Sequence, residues 1–228
     1  MKIKVLGSRG KIEPSALKYQ NHSGFLIDDK ILIDVGEREF MTTNPEAIVF
    51  THFHPDHAFF VSEEKKFTPE IPLFGPQEHP LIPNLKLISG KFDILGYSFT
   101  PVPVIHALKL KSLGYIVEKD KKRAFFTGDV AWIEKAYLQK IEKVDVVITE
   151  ATMINKGGRI NRKKDKIFGH TGVPDLVRIL SPLTNRIIFT HFGDWFFENV
   201  EKSPKILKDF STPHLGVIPA FDGLEFSL

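Results

Sequence analysis

A histidine-rich segment, residues 51–57, holds three imidazoles and one carboxylate directly after a short apolar run, residues 47–50. Imidazole nitrogen and carboxylate oxygen are ligands that zinc and similar divalent metals accept. Four such groups at the end of a buried strand are unfavourable as core residues, because each buried polar group needs its own hydrogen-bond partner. In an extended segment the first two histidines point the same way and can reach one ion; the last two ligands are then free to face a second. The candidate ligands are His52, His54, Asp56 and His57, and the alternative is a solvated histidine-rich turn.

This segment matches the His-x-His-x-Asp-His motif of the metallo-β-lactamase fold superfamily, and the chain resembles that family along nearly its whole length. The resemblance implies an α/β fold, a metallo-β-lactamase-like αββα sandwich of two mixed β-sheets with helices on the outer faces. It also implies a single hydrolase domain over residues 1–228. In its motifs the chain is most similar to the ribonuclease Z-like and cyclic phosphodiesterase-like branch.

The resemblance extends the ligand set to three residues at later strand ends. His106 follows the predicted strand 99–105, Asp129 follows 123–127 and His191 follows 186–190. A lone histidine after a strand is commonly structural, but the family places its ligands at these positions. The resemblance assigns one ion to His52, His54 and His106, the other to Asp56, His57 and His191, and the bridge to Asp129. The expected cofactors are two divalent ions, Zn²⁺ first, with Mn²⁺ or Fe²⁺ as alternatives.

Two motifs indicate groups that would act beside the metals. Thr149-Glu150-Ala151-Thr152 resembles the His-Glu-Ala-Thr motif of ribonuclease Z, with Thr149 in place of the histidine. Gly169-His170-Thr171 opens the helical pattern 173–180, as in related phosphodiesterases, and a capping turn is the alternative. Glu150 would orient His170, which would donate a proton to the leaving oxygen. Asp56 would orient or deprotonate the nucleophile.

Asp34 closes an apolar strand and is followed by Val35-Gly36. It resembles the Asp-x-Gly that lies beneath the metal site in the family, where it would orient the metal ligands. The alternative is an aspartate that caps a turn.

The segment 156–166 contains six basic residues, one acidic residue and two glycines. Such a composition is typical of a solvated mobile loop. Because the segment lies next to the predicted site in sequence, its charge would attract anionic substrates. The candidate substrate-binding residues are Arg159, Arg162, Lys163 and Lys164.

The elements that position these residues are short strands and few helices. Apolar patterns predict strands over residues 2–6, 25–28, 31–34, 99–105, 113–118, 123–127, 144–149 and 186–190. Helical patterns cover residues 132–140 and 173–180, with a short helix near 58–62. His79, in a proline-flanked loop, is expected to be inert, and Asp222 is expected to be a turn residue.

The composition is that of an ordinary globular protein, with 42% hydrophobic and 26% charged residues among 228. Without cysteine the chain has no disulfides and no thiolate ligands. No apolar run approaches the ~18 residues of a membrane span, and the N-terminus lacks the apolar core of a signal peptide. We therefore expect a cytoplasmic protein that has no membrane partner.

These features favour a dinuclear metal-dependent hydrolase that uses a metal-bound hydroxide. The expected substrate and partner is an anionic phosphodiester, such as RNA, an oligonucleotide or a cyclic phosphate. One alternative is a hydrolase of lactones, thioesters or glutathione conjugates on the same fold. Another is a non-catalytic, metal-stabilised binding module. The oligomeric state stays open, and a homodimer is one option.

Overall fold

The computed structural model describes residues 1–228 and contains sixteen strands and five short α-helices. The strands, in chain order, are β1 (Lys2–Gly7), β2 (Gly24–Ile27), β3 (Ile31–Ile33), β4 (Ala47–Val49), β5 (Leu73–Gly75), β6 (Leu85–Leu87), β7 (Phe92–Ile94), β8 (Tyr97–Val104), β9 (Ser112–Lys119), β10 (Lys122–Phe126), β11 (Val146–Ala151), β12 (Arg159–Lys163), β13 (Lys166–His170), β14 (Arg186–Phe192), β15 (Gly216–Pro219) and β16 (Glu225–Ser227). The helices are α1 (Phe60–Glu63), α2 (Lys135–Leu138), α3 (Val173–Leu180), α4 (Asp194–Phe197) and α5 (Ser203–Lys208), with a 3₁₀ helix at Arg38–Thr43.

Two seven-stranded sheets form the centre of the molecule. The first runs β16-β1-β2-β3-β4-β5-β6 and the second β15-β14-β11-β10-β9-β8-β7. Both are mixed: β3, β4, β5 and β6 pair in parallel, as do β10, β11, β14 and β15, whereas the other neighbours are antiparallel. The predicted pair of mixed sheets is confirmed.

Three apolar clusters arrange the layers. One cluster, which includes Ile27, Tyr97 and Ile188, lies between the two sheets and contains residues from both. Another joins the second sheet to α3, α4 and α5 through Leu176, Phe196 and Leu207. The third packs the 3₁₀ helix and α1 against the first sheet, through Phe40 and Phe60 among others. Helices therefore lie on both outer faces, which confirms the αββα sandwich.

The helix predicted over residues 132–140 is wrong in extent, because only Lys135–Leu138 is helical and it buries no side chain. Trp132 instead pairs with Ile105 as an extended residue: its carbonyl accepts from the Ile105 amide at 2.8 Å, and its amide donates to Ile105 at 3.0 Å. This pairing ties the segment after Asp129 to the segment before His106. It therefore fixes two candidate ligands relative to each other.

The basic segment is an antiparallel β-hairpin, so the predicted mobile loop is wrong. Strands β12 and β13 pair from Arg159 opposite His170 to Lys163 opposite Lys166. The hairpin is tied to the sandwich, since the Gly169 amide donates to the His106 carbonyl at 2.8 Å. His170 consequently ends β13 and does not open α3, which starts only after Gly172.

Three local features complete the fold. His79 is half-buried and its ring lies 5.0 Å from that of Phe53, outside the histidine cluster. Asp222 lies in the turn before β16, as predicted, and also accepts hydrogen bonds from Ser8.

No helix in residues 1–228 is both long and apolar enough to cross a bilayer.

The core between the sheets generates a stability prediction at Phe99, which is fully buried and stacks on Phe92 at 5.3 Å. Phe99→Ala should lower the free energy of unfolding by about 3–5 kcal/mol, because the lost ring leaves a cavity. Leu17→Ala is the matched control, since Leu17 is 82% exposed and its change should stay within about 0.5 kcal/mol. Urea titration measures both, and a loss below about 1 kcal/mol for Phe99→Ala would contradict this packing.

Candidate metal centre

The histidine-rich segment leaves β4 and folds into a compact turn. The amides of His57 and Ala58 both donate to the His54 carbonyl at 2.9 Å, which closes the turn around Pro55. The turn reverses the chain, so that the first two histidines and the following Asp56-His57 pair face one common space. The proline favours this reversal because it fixes its own backbone angle and donates no hydrogen bond.

Three imidazoles form the first group of the site. The Nδ1 atom of His54 lies 3.0 Å from Nε2 of His52 and 3.0 Å from Nε2 of His106. Asp129 Oδ2 lies 3.5 Å from Nε2 of His106. These four side chains place one ligand atom each within 4.8 Å of one another.

The second group consists of Asp56, His57, His191 and again Asp129. His191 Nε2 donates to Asp56 Oδ2 at 2.9 Å and lies 3.4 Å from Asp129 Oδ2. His57 Nε2 lies 3.3 Å from Asp129 Oδ1. Asp129 therefore belongs to both groups, one carboxylate between two ligand sets.

The donor atoms fit divalent cations. His57 Nε2 and Asp129 Oδ1 are buried and lie 3.3 Å apart, yet neither makes a hydrogen bond of acceptable geometry, which is rare for buried polar atoms. In the first group three ring nitrogens converge, although a hydrogen atom can join only two of them. Nitrogen and carboxylate oxygen donors in such sets suit zinc, manganese or iron. The seven predicted ligands are thus brought together in two sets that can hold metal.

Burial keeps the first group in the form that binds metal. It lowers the pKa of His52 well below the usual value, that of His54 to about 4, and that of His106 as well. The neighbouring imidazoles add to the effect, because each disfavours a second positive charge. Metal ligation requires neutral imidazole, so these rings need not lose a proton at neutral pH.

In the second group, the buried imidazoles and the buried carboxylates shift each other's pKa values. Burial alone would lower the pKa of His57 and His191, but nearby carboxylates, Asp129 foremost, raise both. Burial would likewise raise the pKa of Asp56 and Asp129, and the same imidazoles hold both below their usual range. Protons on these rings balance the carboxylates, a balance that a bound cation would take over.

Hydrogen bonds on the far ring nitrogens orient four of the histidines. His57 Nδ1 donates to Asp34 Oδ2 at 2.7 Å, and His106 Nδ1 donates to the Gly169 carbonyl at 3.0 Å. The Nδ1 atoms of the other two lie 3.1 Å from Thr51 Oγ1 and 2.9 Å from Thr152 Oγ1. These hydrogen bonds therefore orient four rings so that Nε2 faces the site: His52, His57, His106 and His191. Metal-binding histidines are commonly oriented in this way by a hydrogen bond on the other ring nitrogen.

Asp34 lies beneath the two ligand groups, at the position that the sequence resemblance implies. Its carboxylate accepts from the Thr51 amide and hydroxyl at 2.7 Å each, in addition to His57. Its backbone is left-handed, with φ of 59°, a conformation that costs energy outside glycine. The alternative of a simple turn cap does not account for three buried partners.

Sequence reasoning missed Thr51 and Thr152, because only spatial contact distinguishes them from other threonines.

His191 reaches the site through a β-bulge. The register of β11 against β14 passes from Glu150–Thr190 to Ala151–Phe192, so His191 is the unpaired extra residue. Its φ is 51°. A bulge of this kind redirects a side chain out of the strand alternation, which explains how His191 points into the site from within a strand.

The predicted Glu150–His170 pair is also formed. Glu150 Oε2 accepts from His170 Nδ1 at 2.7 Å, and Oε1 accepts from the Val130 amide. Burial would lower the pKa of His170, but the charge and hydrogen bond of Glu150 raise it to about 9. His170 is therefore a protonated imidazole held beside the two ligand groups.

A cavity of about 220 Å³ opens onto these residues. Its walls include His54, Asp56, Asp129, His170 and His191, together with Gly10, Lys11 and Ile12. The loop that carries residues 10–12 was missed by sequence reasoning, since nothing in its composition links it to histidines far along the chain.

A second cleft of about 670 Å³ adjoins His106. Aliphatic side chains, among them Leu108, Leu110 and Ile167, form much of its wall, with Lys109, Lys111 and Lys166 beside them. The four cations predicted to bind substrate, Arg159, Arg162, Lys163 and Lys164, lie exposed on β12 and its turn and line neither space.

Comparison with solved structures finds the same fold in several proteins. The metallo-β-lactamase fold protein YhfI from Bacillus subtilis is 17% identical, with a TM-score of 0.69 over 99% of this chain and 98% of that chain. A diphosphatase of the PhnP family is 18% identical, with a TM-score of 0.70 over 100% and 97%. Human tRNase Z, short form, is 16% identical, with a TM-score of 0.65 over 100% and 99%.

Comparison at the level of sequence identifies the family. No curated protein matches the chain. Residues 37–192, however, match the β-lactamase superfamily domain, a range that contains every candidate ligand as well as Glu150 and His170. With this match, the fold and the two ligand groups, the chain belongs to the β-lactamase superfamily and has the metallo-β-lactamase fold.

Proposed function

We propose that this protein is a dinuclear metal-dependent phosphodiesterase. The observation that carries the proposal is the Glu150–His170 pair, joined at 2.7 Å, in which Glu150 is buried and His170 lines the cavity that also contains Asp56, Asp129 and His191. Neither of the two groups built from the predicted ligands includes this pair, although Glu150 and His170 form a third possible set with Asp129 and His191. A leaving alkoxide, however, needs a proton, and a charged imidazole at the edge of the cavity is placed to supply one.

The residues divide into two metal positions. His52, His54 and His106 would hold one divalent ion; Asp56, His57 and His191 would hold the other, and Asp129 would contact both. Zinc is the expected metal, with manganese or iron as alternatives. Bound there, the pair would supply Lewis acidity and a hydroxide nucleophile at neutral pH.

Side chains of the protein would then transfer protons and orient the reacting groups. Glu150 fixes the ring of His170 through Nδ1, so that Nε2 carries the proton for the leaving oxygen. Asp56 lines the cavity and has its pKa held low, so it is ionised and can orient the nucleophile. The cationic hairpin would raise the local concentration of an anionic substrate from a distance.

Two of the structural relatives support a phosphoester substrate. One is named as a diphosphatase and another as a tRNase Z, both with the same fold. For this chain we propose an anionic phosphodiester, such as RNA, an oligonucleotide or a cyclic phosphate. A cytoplasmic location remains the expectation that goes with such substrates.

A carboxylic ester hydrolase is the second candidate, because the aliphatic cleft beside His106 could take an apolar acyl group. A thioester or glutathione-conjugate hydrolase would not need the Glu150–His170 pair, because a thiolate departs without a proton, whereas the alkoxide of a lactone would need one. A non-catalytic binding module would in turn need only one closed ligand set.

Metal content is the first prediction. Zinc-loaded protein should contain about two ions per chain by elemental analysis, since the ligands form two sets that share Asp129. His54→Ala should lower the content, whereas His214→Ala, at an exposed histidine outside the site, should leave it unchanged. Wild-type protein that takes up no zinc or manganese would refute the dinuclear hydrolase.

Substrate class is tested by turnover of four compounds by zinc-loaded protein: bis(4-nitrophenyl) phosphate, a lactone, a thioester and a β-lactam. The phosphodiester should be the preferred substrate. Preference for the lactone or thioester would instead support the ester hydrolase.

The role of His170 gives a prediction on leaving groups. His170→Ala should slow hydrolysis of a methyl or nucleoside diester by about 10²–10⁴-fold, because a poor alkoxide leaves only with a proton. Loss on a nitrophenyl diester should be much smaller, since nitrophenolate leaves without one. Glu150→Gln should show a weaker version of the same pattern.

Metal analysis is the control for this experiment, because both variants should retain the wild-type zinc content. Equal losses on the two leaving-group classes would show that His170 binds or supports and does not donate the proton.

A further inference from the structure

The loop between β1 and β2 packs directly on the second ligand group. The Gly10 amide donates to the Phe192 carbonyl at 3.0 Å, and the Phe192 amide donates to the Ser8 carbonyl at 2.9 Å. A Cβ atom on Gly10 would lie only 3.0 Å from Cε1 of His191. Glycine therefore lets the backbone approach the imidazole more closely than a residue with a side chain would, and the next residue, Lys11, reaches the cavity.

One carboxylate holds both ends of this loop. Asp222 Oδ1 accepts from the Ser8 amide at 3.0 Å and the Ser8 hydroxyl at 2.7 Å. Asp222 Oδ2 accepts from the Gln20 amide at 2.7 Å and the Asn21 amide at 2.8 Å. Hydrogen bonds to a charged acceptor are the stronger kind. Asp222 thus does more than terminate a turn, because it fixes the loop from a position about 200 residues away in the chain.

The two cations of the loop differ in what they contact. Arg9 is engaged by the loop itself, since Nε donates to the Gln20 carbonyl at 2.8 Å and a terminal nitrogen donates to the Ile12 carbonyl at 2.7 Å. Lys11 makes no side-chain hydrogen bond or ion pair, is exposed, and lines the cavity that contains Asp56, Asp129 and His170. Its ammonium group is free for a ligand.

We propose that Lys11 contacts the non-bridging oxygens of the substrate phosphate, and that Asp222 is the residue that positions it. This inference rests on the proposed phosphodiesterase function. An ammonium group on a four-carbon stem can meet an anionic phosphoryl oxygen inside the cavity, as a point charge. The hairpin cations do not line the cavity, so they act on association and Lys11 acts on bound substrate.

Zinc-loaded Lys11→Ala is the main test, with Lys18→Ala as its matched control. Lys18 is an exposed lysine of the same loop that does not line the cavity, so both variants lose one charge. Lys11→Ala should weaken binding of inorganic phosphate, measured by calorimetry, by about 10–100-fold, the range of a charged hydrogen bond. It should raise KM for bis(4-nitrophenyl) phosphate by a similar factor. Lys11→Arg should restore most of both losses.

The role of Asp222 is tested through a double-mutant cycle. Asp222→Asn should raise the same KM, and Asp222→Asn combined with Lys11→Ala should be little worse than Lys11→Ala alone, because both act on one contact. Additive losses would show that Asp222 supports the fold generally. Should Asp222→Asn not fold, Ser8→Ala removes one of the four hydrogen bonds and enters the same cycle.

The outcomes separate this inference from the proposed function. If Lys11→Ala binds phosphate as tightly as Lys18→Ala, the Lys11 contact is overturned whatever the enzyme hydrolyses. If Lys11→Ala weakens phosphate binding while the wild-type protein hydrolyses no diester, Lys11 is confirmed as an anion contact and the phosphodiesterase proposal is refuted.

Discussion

The structure depends on the sharing of one buried carboxylate, Asp129, by two groups of imidazoles. Its oxygens lie within 3.5 Å of Nε2 atoms of His57, His106 and His191, and its side chain is 2% exposed. Burying this many ionisable groups is costly unless each charge meets an opposite one. Carboxylates and imidazoles balance each other in the protein alone, and divalent cations would balance the same set more completely. The rest of the site can be understood as support for that arrangement.

The sandwich provides this support through rigid strand ends and a few irregular residues. Asp34 and His191 both have left-handed backbone conformations, and the bulge in β14 turns His191 toward Asp129. Strained residues of this kind persist where surrounding contacts hold them, commonly at functional sites. The contacts are visible here: Asp34 is held by Thr51 and His57, and His191 by Thr152 and Asp56. Ligands that follow directly on strand ends are held more precisely than ligands on long loops.

The ligands and most strands could be predicted from sequence because their signals are local. A short apolar run followed by histidine or aspartate marks a strand and its functional end, as at Val49 before His52 or Phe126 before Asp129. Contacts between distant segments carried no such signal. The hairpin at 159–170 looked like a mobile basic loop, since its partner strand and its bond to His106 are tertiary features. The Asp222 clamp on Ser8 spans 214 positions and was equally invisible. The extent of the single domain, and the roles of individual site residues, stay predictions.

The most direct measurement is diffraction from zinc-loaded crystals at wavelengths on either side of the zinc absorption edge. The account predicts two anomalous peaks per chain, one among His52, His54 and His106 and one among Asp56, His57 and His191, with Asp129 contacting both. Ligand distances should be about 2.0–2.2 Å. A single peak, or peaks that Asp129 does not touch, would contradict the claim that this carboxylate organises a two-metal site.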